Sequence, residues 1–223
     1  MKLQHKKRVI AFIPVRGGSK SIKHKNIKKF AGKPLVEWVI RAAQKSQLID
    51  NIIVSTDSQI IRDCVHNLDY NKLQIVERSM ETATDEASTE SAMLEYIQAS
   101  DHQDDDLFVL IQATSPWTTA PQLDEAISLL IKENYDSLLS VVENKGFIWN
   151  AKGQSINYDY RKRPRRQYME DQYQENGAFY ISSFAQIQNS GNRLNGKIGY
   201  YIMPKYSLTE LDEKDDWRLA ELI

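Results

Sequence analysis

From Arg8 to Val142, short β-branched runs alternate with amphipathic stretches, and this rhythm limits the fold more than any other feature of the chain. "RVIAFI", "NIIVST", "LQIVE", "DLFVLIQA" and "DSLLSVV" read as strands. Between them, "LVEWVIRAAQKS", "SQIIRDCVHN", "STESAMLEYIQA" and "PQLDEAISLLIKE" read as helices. In the first of these, Leu35, Trp38, Val39 and Ala42 fall on one face at helical spacing. Ser58 stands where the second needs an N-cap. Near-continuous apolar strands separated by helices imply an α/β fold with a mostly parallel central sheet covered on both faces. Ligands of such sheets bind beyond the carboxyl ends of the strands.

The rhythm breaks at about Glu143. Residues 143–175 mix aromatic, basic and polar side chains without a clean period, so an extended arm or small β excursion is expected there. Strand-like runs return at "GAFYIS" and "IGYYIM", and the acidic "LTELDEKDDWRLAELI" reads as a closing capped helix. We therefore expect one domain over residues 1–223 with an insertion at about 143–175. The balance of 29 basic against 30 acidic residues argues against a nucleic-acid partner. Cys64, the one cysteine, excludes an intramolecular disulfide or a cysteine-based zinc cluster and reads as a packing residue. No stretch approaches the roughly 20 apolar residues of a membrane span, and the basic start lacks a signal-like apolar core. A cytoplasmic protein without a membrane partner is the expectation.

The segment "IPVRGGSKSIKHKN", Ile13–Asn26, follows the first strand and carries Arg16, Lys20, Lys23, His24 and Lys25 with two glycines and no carboxylate. Without a Cβ, Gly17 and Gly18 let backbone N–H groups approach an anion closely. Arg16 and Lys20 can add charge-assisted bonds to phosphate oxygens. The spacing is not that of a P-loop, because Ser19 precedes Lys20 and no glycine stands at the required distance. Taken alone, the loop reads either as a polyphosphate cradle or as a solvated turn.

The stretch "IPVRGGSKSIKHKNIKKFAGKPLVEW" resembles the signature of the acylneuraminate cytidylyltransferases. The likeness continues through "IIVSTDS", "VERSMETATDEAST", "LIQATSP", "RRQ", "YQENGAFYI" and "ELDEKDDWRLAE", in that order and over nearly the whole chain. It implies a three-layer nucleotide-diphospho-sugar transferase fold, Rossmann-like, with a small dimerisation insertion. It also implies transfer of CMP from CTP to the anomeric hydroxyl of a nine-carbon sugar acid, with Mg²⁺ as cofactor and a homodimer as the assembly. Carried over by position, Arg16, Gly17, Gly18, Ser19, Lys20, Lys25 and Asn26 would line the CTP triphosphate and ribose, with Arg16, Lys20 and Lys25 serving catalysis. Arg78 and the segment from Asp85 to Thr89 would contact nucleotide. Gln112, Arg166 and Tyr180 would face the sugar acid, and Glu210 and Asp212 would hold Mg²⁺.

Several positions depart from the family pattern. Ser21 replaces a glycine, Ala113 a proline, Trp117 a leucine and Glu210 an aspartate, and Arg193–Leu194 fall where paired phenylalanines are usual. The sugar-side departures leave N-acetylneuraminate, legionaminic acid and pseudaminic acid all open as acceptors. A cytidylyltransferase of the same fold acting on 3-deoxy-octulosonate or methylerythritol phosphate is a second reading, and a non-catalytic nucleotide-binding assembly protein a third. Bland readings stand beside these: Asp212 and Asp216 as helix caps, "RKRPRRQ" as a solvated charge run, Tyr180 as core. Asp57 reads as a helix cap or a nucleotide contact.

Overall fold

The computed structural model describes residues 7–19, 22–209, 211 and 214–221. Its central strand, β1 (Val9–Pro14), is buried on both sides. Val9, Ala11 and Ile13 enter one apolar cluster, and Ile10 and Phe12 enter the other. That two-sided burial follows from the unbroken apolar run, which has no polar face to turn to water.

The chain continues through a two-residue-per-strand hairpin, β2 (Lys29–Phe30) and β3 (Lys33–Pro34), into α1 (Leu35–Lys45). Then follow β4 (Asn51–Thr56), α2 (Gln59–His66), β5 (Leu73–Glu77), α3 (Thr89–Ala99), β6 (Leu107–Ile111), α4 (Ala120–Glu133) and β7 (Ser137–Glu143). After the arm come β8 (Tyr173–Ser183), α5 (Phe184–Ser190), β9 (Ile198–Ile202) and α6 (Lys214–Ala220). The large sheet runs β5-β4-β1-β6-β8-β7-β9. Its pairings are parallel except where β8 lies antiparallel between β6 and β7. Apolar residues of α1, α2 and α4 pack on one face, and those of α3 and α5 on the other, giving three layers. From β1 the chain goes to β4 on one side, while β6 lies on the other. The crevice outside the carboxyl ends of β1 and β6 is thus the topological switch point.

A third apolar cluster joins Ile22, Phe30, Leu35, Leu211, Trp217 and Ala220. Phe30 sits at its centre with Trp38, Trp117 and Trp217 edge-on at ring-centroid distances of 6.3, 5.6 and 5.8 Å. Such edge-to-face contacts add roughly 0.5–1.5 kcal/mol each beyond burial. They tie together the hairpin, the loop after β6 and α6.

Several local details differ from the sequence reading. Ser58 occupies the N-cap position of α2, but its side chain makes no capping bond. The closing segment is a 3-10 turn at Lys205–Leu208 followed by a shorter helix, α6. Between β7 and β8, the arm carries an isolated bridge, Trp149 with Ser155, and two 3-10 turns. Among the described residues, no helix is long and apolar enough to cross a membrane.

Candidate active site

A cavity of about 290 Å³ opens at the switch point. Arg16, Ser19, Lys25, Asn26, Arg78, Asp85, Thr89 and Gln112 line it, with Pro14, Ala87, Ala113 and Thr114. These residues come from the loop after β1, the segment between β5 and α3, and the loop after β6. Arg16, Lys25 and Arg78 bring positive charge to it against the Asp85 carboxylate, so the lining favours a polyanion.

The loop after β1 is braced from behind. The Gly17 N–H donates to Asp57 Oδ1 at 2.8 Å. A Cβ on Gly17 would lie 2.8 Å from Ser58 Cβ, so only glycine fits that approach. At Gly18 a Cβ would meet nothing within 4 Å, which leaves that backbone open on its outer side. The two glycines therefore differ in role: Gly17 packs inward and Gly18 faces open space. Asn26 Nδ2 donates to the Arg16 carbonyl at 3.2 Å, closing the loop on itself. His24 takes a left-handed φ of 53° to start the 3-10 turn Lys25–Ile27 that presents Lys25 and Asn26.

Arg16 is oriented by the opposite wall, and Arg78 by its own segment. Arg16 Nη1 donates to the Thr84 carbonyl at 2.8 Å and pairs with Asp85 Oδ1 at 2.9 Å. Arg78, 7% exposed, donates through Nη2 to the Thr82 carbonyl. Thr82 Oγ1 donates to Glu95 of α3, which also accepts from the Ser79 N–H at 2.8 Å. Burial pushes the Arg78 guanidinium below its ordinary range, and the charge of Arg16 adds to this, while Asp57 and Glu95 oppose it. Burial works against the Glu95 carboxylate too, but bonds from Thr82 and Ser79 hold it below its usual value. Gln112 is fixed by its backbone, whose N–H donates to the Ala178 carbonyl of β8 at 3.0 Å.

Not every residue singled out in the sequence reaches this cavity. Tyr180 is buried in β8, 3% exposed, and its hydroxyl donates to Glu175. Burial first, then Glu175, raises its pKa. Arg166 is exposed on the arm, where Nε donates to the Lys145 carbonyl at 3.3 Å. Neither is among the lining residues. Lys20, Glu210 and Asp212 lie outside the described residues. Leu211 is described: it is fully buried and packs in the cluster with Ile22 and Phe30, so the chain passes the basic loop there. Asp57, which the sequence offers as a helix cap or a nucleotide contact, clamps the Gly17 N–H. Its signal was its place directly after β4, at the carboxyl edge of the sheet.

The family model described as cytidylyltransferase matches residues 10–222. The chain belongs to the cytidylyltransferase family. It is 37% identical over 228 residues to N-acylneuraminate cytidylyltransferase A of Danio rerio, a match covering 99% of this chain and 51% of that protein. It thus spans about half the length of that relative. It is 26% identical over 222 residues to the pseudaminic acid cytidylyltransferase of Campylobacter jejuni, covering 96% of this chain and 95% of the relative. The structure of a CMP:2-keto-3-deoxy-manno-octonic acid synthetase complexed with CTP superposes with a TM-score of 0.71 at 13% identity, covering 97% of this chain and 98% of that one. At that identity the likeness speaks for the fold of this cytidylyltransferase chain, a mostly parallel sheet between helical layers.

Proposed function

We propose that the chain transfers CMP from CTP to the anomeric hydroxyl of a sialic acid or related nonulosonic acid, releasing pyrophosphate. The observation that carries this reading is the convergence of Arg16, Lys25 and Arg78 on one cavity beyond β1 and β6. Attack on the α-phosphate of CTP concentrates negative charge on that phosphate and on the departing pyrophosphate. Positioned cations relieve that charge, which is the larger part of catalysis in reactions of this kind. Arg16 and Lys25 would meet the triphosphate, Arg78 and the Asp85–Thr89 segment would bound the nucleoside, and Gln112 would face the acceptor. Lys20 is assigned to the triphosphate by resemblance. The sugar acid carries a carboxylate, for which Arg166 offers a two-pronged match; reaching it requires the arm to move or a second copy to supply it.

Mg²⁺ belongs to the same proposal. Among the described residues no group of three or more His, Cys, Asp or Glu could hold a metal ion. Mg²⁺ asks for less, since one or two carboxylates with phosphate oxygens and water satisfy it. By resemblance Glu210 and Asp212 supply that pair; both lie outside the described residues. When bound, the ion would neutralise and align phosphate oxygens.

We further propose a homodimer built on the arm and the sheet edge. Ile198, Tyr200 and Ile202 of edge strand β9 are each about half exposed, as are Trp149 and Tyr160 of the arm, and Tyr168 more so. So much exposed apolar surface favours a covering partner.

A pyrophosphate-release assay with CTP·Mg²⁺ and a panel of sugar acids tests the reaction. Turnover is expected with N-acetylneuraminate, legionaminic acid or pseudaminic acid. Turnover with 3-deoxy-octulosonate alone would overturn the acceptor class, and CTP binding with no turnover on any acid would favour an assembly role. Arg166→Ala should raise the acceptor KM roughly tenfold or more with little change in KM for CTP; an unchanged acceptor KM and rate would remove Arg166 from the site.

A further inference from the structure

We propose that Arg193 is a positioning residue for the nucleotide cavity, acting through Glu90 on the wall that runs from Thr84 to Thr89. Arg193 comes from the loop after α5, 103 residues from Glu90, and grips it with both prongs: Nε to Oε1 at 2.5 Å and Nη2 to Oε2 at 2.9 Å. The side chains are 18% and 19% exposed, so water screens the pair far less than an ordinary surface ion pair. The guanidinium also lies over the Tyr180 ring, 4.9 Å from its centroid, and Tyr180 is anchored through Glu175. Leu194, the next residue, packs against the second apolar cluster. Arg193 is therefore held from several sides and can hold something else.

What it holds is the first turn of α3. The core grips that helix through Ala92, at the end of this turn, and through Met93 and Ile97 beyond it, while Ser88 Oγ accepts from the Ser91 N–H. The start of the turn, at Thr89 and Glu90, has no buried residue of its own. Thr89 lines the cavity directly before Glu90, with Ala87 and Asp85 just upstream. Residues 84–86 and 88 are exposed and have little packing to fix them. An arginine grips each end of this wall: Arg16 at Thr84 and Asp85, and Arg193 at Glu90. Arg16 faces the cavity and would turn to phosphate, whereas Arg193 is not among the lining residues. The Arg193–Glu90 pair is thus the end that stays in place when nucleotide enters. It gives the tyrosine of β8 and the loop after α5 a mechanical connection to the CTP site.

This inference rests on the CTP reading above, so the test separates the two. CTP·Mg²⁺ is titrated calorimetrically into wild type, Arg193→Met, Glu90→Gln, Arg193→Lys and the exchanged pair Glu90→Arg/Arg193→Glu. Amide hydrogen exchange is followed over residues 84–91 in each. Arg193→Met and Glu90→Gln are expected to bind CTP about tenfold more weakly, the size of one charge-assisted hydrogen bond. They should also exchange faster over residues 84–91. Arg193→Lys, with charge but no fork, should fall between them and wild type, and the exchanged pair should recover part of the loss. Unchanged CTP affinity and exchange in Arg193→Met and Glu90→Gln would overturn the inference. So would a lower Tm with unchanged affinity, which marks a purely structural pair. Wild type that binds no CTP would overturn the functional reading instead, and the exchange data would still judge the pair.

Discussion

At the scale of single residues, the glycine pair of the basic loop shows how adjacent identical residues divide a task. Gly17→Ala forces a Cβ to within 2.8 Å of Ser58 and strains the bond to Asp57. It should lower Tm and CTP binding together. Gly18→Ala meets no protein atom, so it should leave Tm within about 2 °C while lowering CTP affinity, if a phosphate approaches there. Calorimetry with thermal melts on both variants checks the contrast. Arg16→Ala should cost about a hundredfold or more in kcat/KM for CTP, the usual effect of losing a preorganised charge donor, with Tm unmoved. The sequence made the charges of this loop legible, because a basic run with glycines after a buried strand has few uses. It did not make Asp57 legible, since a carboxylate after a strand reads equally as a cap. For Tyr180 it left core packing and a sugar contact both open, because which face of β8 points inward depends on strands far away in the chain.

At the scale of elements, the bottoms of β1 and β6 are fastened by one buried carboxylate. Asp106, fully buried, accepts from the Arg8 N–H at 2.8 Å, Arg8 Nε at 3.0 Å and the Gln103 N–H at 3.0 Å. Burial alone would raise its pKa, but these bonds and the charge of Arg8 hold it below the usual carboxylate range. A depressed folded pKa means the stabilisation is present above the unfolded value and is lost as pH falls through the folded one. Thermal melts should therefore be flat from neutral pH to about pH 5 and fall below about pH 4. Asp106→Asn puts an NH₂ among donors and should cost about 2 kcal/mol at pH 7, flattening the acid limb; an unaltered acid limb would discount this fastening. The alternation of strands and helices was readable because each element carries its own period. The β2–β3 hairpin was not, with two residues per strand, and neither was α5. That helix is too short to display a period and is capped by Ser183, whose Oγ accepts from the Gln186 N–H.

At the scale of the whole molecule, sequence order implies a parallel sheet but not that β8 enters antiparallel between β6 and β7. Strand order is set by pairings distant in sequence, and no local pattern encodes them. The exposed β9 edge gives the prediction at this scale. Ile198→Glu with Tyr200→Glu should halve the mass in sedimentation equilibrium without unfolding the chain; a wild-type mass of one chain at micromolar concentration, with full activity, would end the dimer proposal. The tryptophans are distributed so that light can report on both proposals. Of four in the chain, Trp38, Trp117 and Trp217 surround Phe30 beside the basic loop, while Trp149 lies out on the arm, 46% exposed. Intrinsic fluorescence should therefore divide into a blue-emitting group beside the nucleotide cavity and a red-emitting one on the arm, the first expected to shift with CTP and the second with dimerisation. With Trp149→Phe as the reference, one spectrum should follow the proposed nucleotide binding and the difference spectrum the proposed assembly, with no label attached.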